Sequence, residues 1–186
     1  YSPPVAIWAG SLLFTFLQAY LAWHIVISLE PTDFFASCNR YDGVHYGDIA
    51  SVGYTYSATG KSNTAFFPGF PLVAWACSRL TGLQINIALL FIANLCVLIA
   101  FVLFYRYAQE RTGIRKESDS ERGVKSFPDS ALMIMAFWPT TFFWRMGYSE
   151  SLFMALSLSA FRGMQVGRSP WLIALLIGAA TSTRSV

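Results

Sequence analysis

The sequence predicts an all-α protein, a polytopic bundle of transmembrane helices, and three observations carry that reading. Of the 186 residues, 55% are hydrophobic and 12% charged, with a mean hydropathy of +0.47, against about 25% charged in a typical soluble domain. The apolar residues arrive in long blocks that run all round a helical wheel, without the one-sided period of a surface helix. The basic residues fall between those blocks rather than along a stripe, so the net charge of +3 and pI near 8.9 do not describe a nucleic-acid-binding surface.

Residues 5–29 form the first predicted span, long enough for the ~20 apolar residues a bilayer crossing needs and interrupted only by Gln18 and His24. His24 reads as a hydrogen bonder between helices. Residues 30–65 are a polar, aromatic-rich extracytoplasmic loop, and residues 66–80, with Pro68 and Pro71, suit an interfacial helix better than a crossing. A second span covers 83–105. The loop 106–128 that follows holds Arg106, Arg111, Arg115, Lys116, Arg122 and Lys125, and the positive-inside rule assigns it to the cytoplasm.

Further spans are expected at about 130–145, 152–162 and 170–183, with Arg145 to Ser151 extracytoplasmic and the basic turn Arg162 to Arg168 cytoplasmic. This topology brings Asp42, Glu150 and Arg184 to one side of the membrane. The chain starts Tyr1-Ser2-Pro3-Pro4 without Met or a basic leader and stops at Arg184-Ser185-Val186 just after an apolar run, so it reads as the N-terminal portion of a longer multispanning protein. Its three cysteines, Cys38, Cys77 and Cys96, lack metal-like spacing and form no disulfide framework.

Asp42 and His45 are spaced i, i+3 ahead of Tyr46 and Ile49, so a short helix would put acid and imidazole on one face. They are either a chemical pair or the start of a solvated interfacial helix in which Asp42 only caps. Asp48 is a rival carboxylate that should project from another part of that helix. The run Phe66-Phe67-Pro68-Gly69-Phe70-Pro71 fits a headgroup-level anchor. Glu150, after Gly147-Tyr148-Ser149, opens an apolar helix, where the dipole favours a negative charge, and N-terminal capping explains it equally well. Arg184, among Thr181, Ser182, Thr183 and Ser185, either grips a phosphate through its fork or snorkels to the interface. No Gly-x-Gly-x-x-Gly, Walker loop, His/Cys metal cluster or Gly-x-Ser-x-Gly elbow occurs, which leaves nucleotide and serine-hydrolase chemistry without support.

In this order and with these gaps, four pieces resemble the GT-C membrane glycosyltransferases, in particular the family that adds the second mannose to the glycosylphosphatidylinositol (GPI) anchor precursor. They are Tyr41-Asp42-x-x-His45-Tyr46 with Ile49-Ala50 and Gly53-Tyr54, then Ala65 to Pro71, then Gly147-Tyr148-Ser149-Glu150-Ser151-Leu152-Phe153, then Ala180-Thr181 with Arg184-Ser185. Tyr41 stands where the family pattern has Trp, both being amphipathic interfacial aromatics. Family members also carry more transmembrane helices than this chain has room for.

The resemblance implies a multi-pass membrane enzyme, in the endoplasmic reticulum or a bacterial plasma membrane, working on the lumenal or extracytoplasmic face. Its donor would be polyprenyl (dolichyl)-phosphate mannose and its acceptor a glycolipid, with no cofactor, no metal and a possible small membrane partner subunit. Asp42 would match the family's first-loop acid and act as general base. His45 would orient Asp42 or a substrate phosphate, Tyr41 would line the substrate site, Glu150 would bind acceptor hydroxyls and Arg184 would hold the lipid phosphate. Rival expectations are a GT-C enzyme moving another sugar to a bacterial glycolipid or to protein, a structural subunit of a transferase complex, and a transporter or flippase segment. The last predicts inverted repeats and mid-membrane acids, whereas no repeat is visible and the polar motifs fall at span ends.

Overall fold

The computed structural model describes residues 3–26, 33–58, 60, 62–113 and 127–184, and these are helical with no strand among them. In chain order the helices are α1 (Pro3–Val26), α2 (Phe34–Ser37), α3 (Asp42–Val52), α4 (Gly69–Thr81), α5 (Ile85–Gly113), α6 (Phe127–Phe137), α7 (Phe142–Arg145), α8 (Glu150–Gln165) and α9 (Pro170–Thr181). Most of the predicted cytoplasmic loop, residues 114–126, lies outside the described residues.

Two helices are long and apolar enough to cross a membrane by length and composition, Pro3–Ile25 and Ile85–Arg111. The others are shorter, and one expectation fails in an informative way. The span predicted at about 130–145 is not one helix. It breaks after Phe137, where Pro139 has no N–H to donate and pushes Trp138 into extended backbone with ψ 139°. A 3₁₀ turn at Pro139–Thr141 restarts the chain as α7, and the Thr141 hydroxyl donates to the Met135 carbonyl at 2.7 Å, covering the exposed end of α6. The second predicted span also differs, since α5 continues past residue 105 to Gly113. The good helix formers in Tyr105-Arg106-Tyr107-Ala108-Gln109-Glu110-Arg111 carry it out beyond the apolar run.

Helix α5 is the hub. Ala88, Leu89, Ala93, Val97, Ala100 and Phe101 are fully buried along it, packed on one side with Tyr46, Phe70, Ala74 and Ala155 and on another with Leu132 and Ala136. Its alanines let neighbouring backbones approach closely, which is how helices gain van der Waals contact where lipid removes the hydrophobic drive. Helix α1, by contrast, leaves Leu13, Leu17, Leu21 and Ile25 exposed, an apolar surface suited to lipid or further helices.

Polar side chains fasten this apolar bundle. Arg145, at the end of α7, is completely buried. Its guanidinium donates to Asn94 Oδ1 at 3.2 Å, to the Trp8 carbonyl at 3.2 Å and to Ser11 Oγ, and it lies over the rings of Phe101 and Trp8 at 5.5 and 5.9 Å. Asn94 returns the contact through its amide, which donates to the Arg145 carbonyl at 2.9 Å, while Trp8 Nε1 donates to the Asn94 carbonyl at 3.0 Å. One cation thereby binds α1, α5 and α7.

Arg145→Ala should therefore destabilise the detergent-solubilised protein by about 2–4 kcal/mol, since it leaves the Asn94 Oδ1 acceptor without its donor, removes the guanidinium's bonds to α1 and leaves a cavity behind. Arg145→Lys should recover less than half of that, because one ammonium cannot reproduce the planar fork. Denaturant titration of the three proteins checks both outcomes.

Candidate active site

The acidic loop is built outward from Asn39. Asp33 caps α2 by accepting from the Ala36 amide at 3.1 Å, and after that single turn Asn39 is buried and donates its amide to the carbonyls of Phe35 and Asn86, each at 3.0 Å. The chain then reverses at Tyr41, the one non-glycine residue with positive φ among those described (φ 54°, ψ −119°). Such a conformation costs on the order of 1–3 kcal/mol and is kept only where surroundings enforce it. Here Tyr148 Oη donates to the Arg40 carbonyl at 3.0 Å. The Gly43 and Val44 amides donate to the carbonyls of Arg40 and Tyr41, both at 3.1 Å. Gly147 is obligatory beside this turn, because a β-carbon there would fall inside Asn39 Oδ1, which Asn39's two hydrogen bonds hold in place.

Asp42 is the first residue of α3, a position where the exposed amides and helix dipole favour a carboxylate. With Tyr41, Val44, His45, Asp48, Thr55, Ser62 and Asn63 it lines an open cleft of ≈ 560 Å³. Tyr41 is 81% exposed at its mouth. The His45 ring is stacked on Phe66, centroids 4.6 Å apart at 23°, so the first aromatic of the Phe66 to Pro71 run serves as its platform rather than only as a membrane anchor. Asp48 does project from another part of α3, about 120° from Asp42 on the helical wheel, yet the loop residues Thr55, Ser62 and Asn63 complete a cleft that both acids line. Asn63 fixes that loop by accepting from the Thr55 amide at 2.8 Å and donating to the Gly53 carbonyl at 3.3 Å. It is a contribution that one more polar residue in a polar loop does not announce.

The opposite face of α3 is bolted to the rest of the protein. Tyr46 is buried, with its ring edge-on to Phe66 and Phe70, each at 5.4 Å, and its hydroxyl shares a hydrogen bond of 3.0 Å with Ser149 Oγ. Glu150 and Arg184, read separately from sequence, form one ion pair at 3.2 Å that is half-exposed. The start of α4 meets the end of α9, where the Gly69 amide donates to the Ser182 carbonyl at 2.8 Å. Any β-carbon on Gly69 would lie 2.7 Å from that oxygen. All four motif regions thus touch, while the charged side chains divide into two groups, the acids Asp42 and Asp48 in the cleft and the Glu150–Arg184 pair beyond Tyr46.

Charge links the two groups. Burial pushes the Tyr46 phenol above its ordinary range, with Glu150 and Asp42 adding to the rise and the Ser149 bond and Arg184 opposing it. Burial likewise raises Tyr148, helped by Asp42 and Glu150. Both phenols therefore keep their protons at neutral pH. No group of three or more His, Cys, Asp or Glu side chains gathers among the described residues, so the site offers no ready-made metal cage.

The family model described as "Mannosyltransferase (PIG-V)" matches residues 11–186. The chain belongs to the PIG-V mannosyltransferase family. Among its relatives, the GPI alpha-1,6-mannosyltransferase 2 of Cricetulus griseus is 32% identical over 151 residues, covering 79% of this chain and 28% of the relative. The proteins of the same name from Mus musculus and Homo sapiens are 30% and 32% identical, over 79% of this chain and 29% of each relative. The chain thus spans less than a third of the length of these PIG-V relatives. No solved structure matches it.

Within this PIG-V chain Tyr148 ties the turn ahead of Asp42 through the Arg40 carbonyl, a contact the sequence reading passed over although the residue stands inside the Gly147 to Phe153 motif. Removing its hydroxyl by Tyr148→Phe should cost about 1 kcal/mol of stability. The unfolding midpoint of the purified variant, set beside that of the wild type, checks this.

Proposed function

We propose that this chain carries the acidic loop of an integral membrane GT-C mannosyltransferase. The enzyme takes mannose from polyprenyl (dolichyl)-phosphate mannose and transfers it to a glycolipid of GPI-anchor type on the lumenal or extracytoplasmic side. Family membership supports the reaction class, and the names of its relatives support the acceptor type. The basic residues between 106 and 125 support the orientation through the positive-inside rule. The single observation that carries the mechanism is Asp42, a carboxylate at the first turn of α3 on the wall of an open cleft.

The chemistry needs one base. In a single displacement with inversion, Asp42 takes the proton of the acceptor hydroxyl as that oxygen bonds to the anomeric carbon. The bond from that carbon to the phosphate oxygen breaks, and its electron pair leaves on the phosphate. Phosphate is already a stable anion, so no general acid is required, unlike hydrolysis of a glycoside by a pair of carboxylates. His45, immobilised on Phe66, orients the carboxylate or a donor phosphate, and Tyr41 lines the entrance. Glu150 binds acceptor hydroxyls and Arg184 the lipid phosphate, a division of labour that opens their ion pair when substrate arrives. Because that pair is half-exposed, breaking it costs only about 0–1 kcal/mol. The transport alternative is less well supported, since Asp42 and Glu150 stand in the first turns of their helices rather than midway along a span.

In membranes containing the complete protein, Asp42→Asn should reduce transfer of radiolabelled mannose from polyprenyl-phosphate mannose to lipid by roughly 10²–10⁴-fold. Wild-type transfer by that variant would remove Asp42 from the role of base.

A further inference from the structure

A second cavity, of ≈ 530 Å³, opens between α5 and α8 about 18 Å further along α8 than Glu150. Its walls are apolar, formed by Leu103, Phe104, Leu158 and Phe161, and it is bordered by two guanidiniums, those of Arg111 and Arg162. The volume falls within the ordinary range for a ligand site. Nothing in the transfer chemistry uses it.

The charges are unevenly satisfied. Arg162 Nη2 donates to Glu110 Oε1 at 2.8 Å, with the arginine side chain 23% exposed. Its Nη1 is buried and has no hydrogen-bond partner, a state that calls for an acceptor. Arg111 lies over the Tyr107 ring at 5.4 Å, and a stacked guanidinium still presents its in-plane N–H groups to an acceptor at its edge. Among the described residues, Arg111, Arg162 and Glu110 leave a single positive charge here, which one monoanion neutralises. Two forks facing one site favour an anion with several oxygens, and a phosphodiester has both the charge and the oxygens.

Location decides between a lipid and a soluble phosphate. Arg111 closes the apolar stretch Ile85–Arg111, one of the two helices able to cross a membrane, so the guanidiniums stand where headgroups lie and the apolar walls where acyl chains begin. We infer that this cavity binds the headgroup of an anionic phospholipid, with its upper acyl chains against Leu103, Phe104, Leu158 and Phe161. The site goes beyond the proposed transfer reaction and does not depend on it.

The test is native mass spectrometry of the purified, detergent-solubilised protein exposed to equal amounts of phosphatidylglycerol and phosphatidylcholine. The wild type should retain phosphatidylglycerol preferentially, and Arg111→Gln with Arg162→Gln should reduce that preference roughly fivefold per arginine. Glu110→Gln, which removes only the competing charge, should raise phosphatidylglycerol retention about fivefold, and it carries the test should the double variant fail to fold. An excess of soluble glycerol phosphate should leave the lipid bound. Equal retention of the two lipids, no rise with Glu110→Gln, or displacement by glycerol phosphate would overturn the proposal, the last by making this a site for free phosphate.

Discussion

Burying a guanidinium among apolar helices obliges the protein to supply its partners internally, and this obligation shapes the bundle around Arg145. Water would otherwise satisfy the charge, and removing it costs several kcal/mol unless the hydrogen bonds are replaced. The replacements come from two helices distant in sequence: the Trp8 carbonyl, Ser11 and the Trp8 ring on α1, and Asn94 and the Phe101 ring on α5. Neutral acceptors rather than an acid surround the cation, so they hold it only while all of them are in place together. Since Arg145 immediately precedes the Met146 to Glu150 segment, the same network fixes where Tyr148 and Ser149 emerge. The acidic loop then depends on those two residues.

Helix α3 shows how a short element can be rigid and accessible at once. Its inner face, through Tyr46, is held by rings and by Ser149, while its outer face lines the cleft. The strained backbone of Tyr41 sets the angle at which the helix begins and is enforced by bonds to the preceding carbonyls. Such an arrangement fixes the backbone that carries Asp42 while leaving its exposed side chain on the wall of the cleft.

Much of this was legible in the residues because lipid-facing and buried apolar blocks leave an unmistakable composition, and because the acidic loop, the Phe66 to Pro71 run, Gly147 to Phe153 and Arg184 recur in a recognisable order. What escaped was local geometry. Pro139 breaks a stretch whose hydropathy is continuous, and hydropathy does not register a missing N–H. The helical wheel separates Asp48 from Asp42 because it treats α3 as isolated and does not register that Thr55, Ser62 and Asn63 complete a cleft between them. Asn39, Asn63, Asn94 and Tyr148 do their work by tying distant backbone groups, and nothing in their immediate neighbours marks them. Arg145 looked like a loop residue from its polar company, whereas its partners lie about 50 and 135 residues away along the chain.

The contact between Gly69 and Ser182 has a consequence in time. The amide that opens α4 is completed by a carbonyl at the far end of α9, more than a hundred residues later in synthesis. At the ~5–20 residues per second of translation, the nascent chain waits on the order of 5–25 s between the emergence of the two partners. During that interval the acidic loop has been made but its flanking wall has not, and the segment carrying Glu150 arrives only near the end of the wait. The site is therefore the last part of this region to close, and a nascent chain halted before α9 holds every residue of the cleft without the contact that sets its neighbour in place.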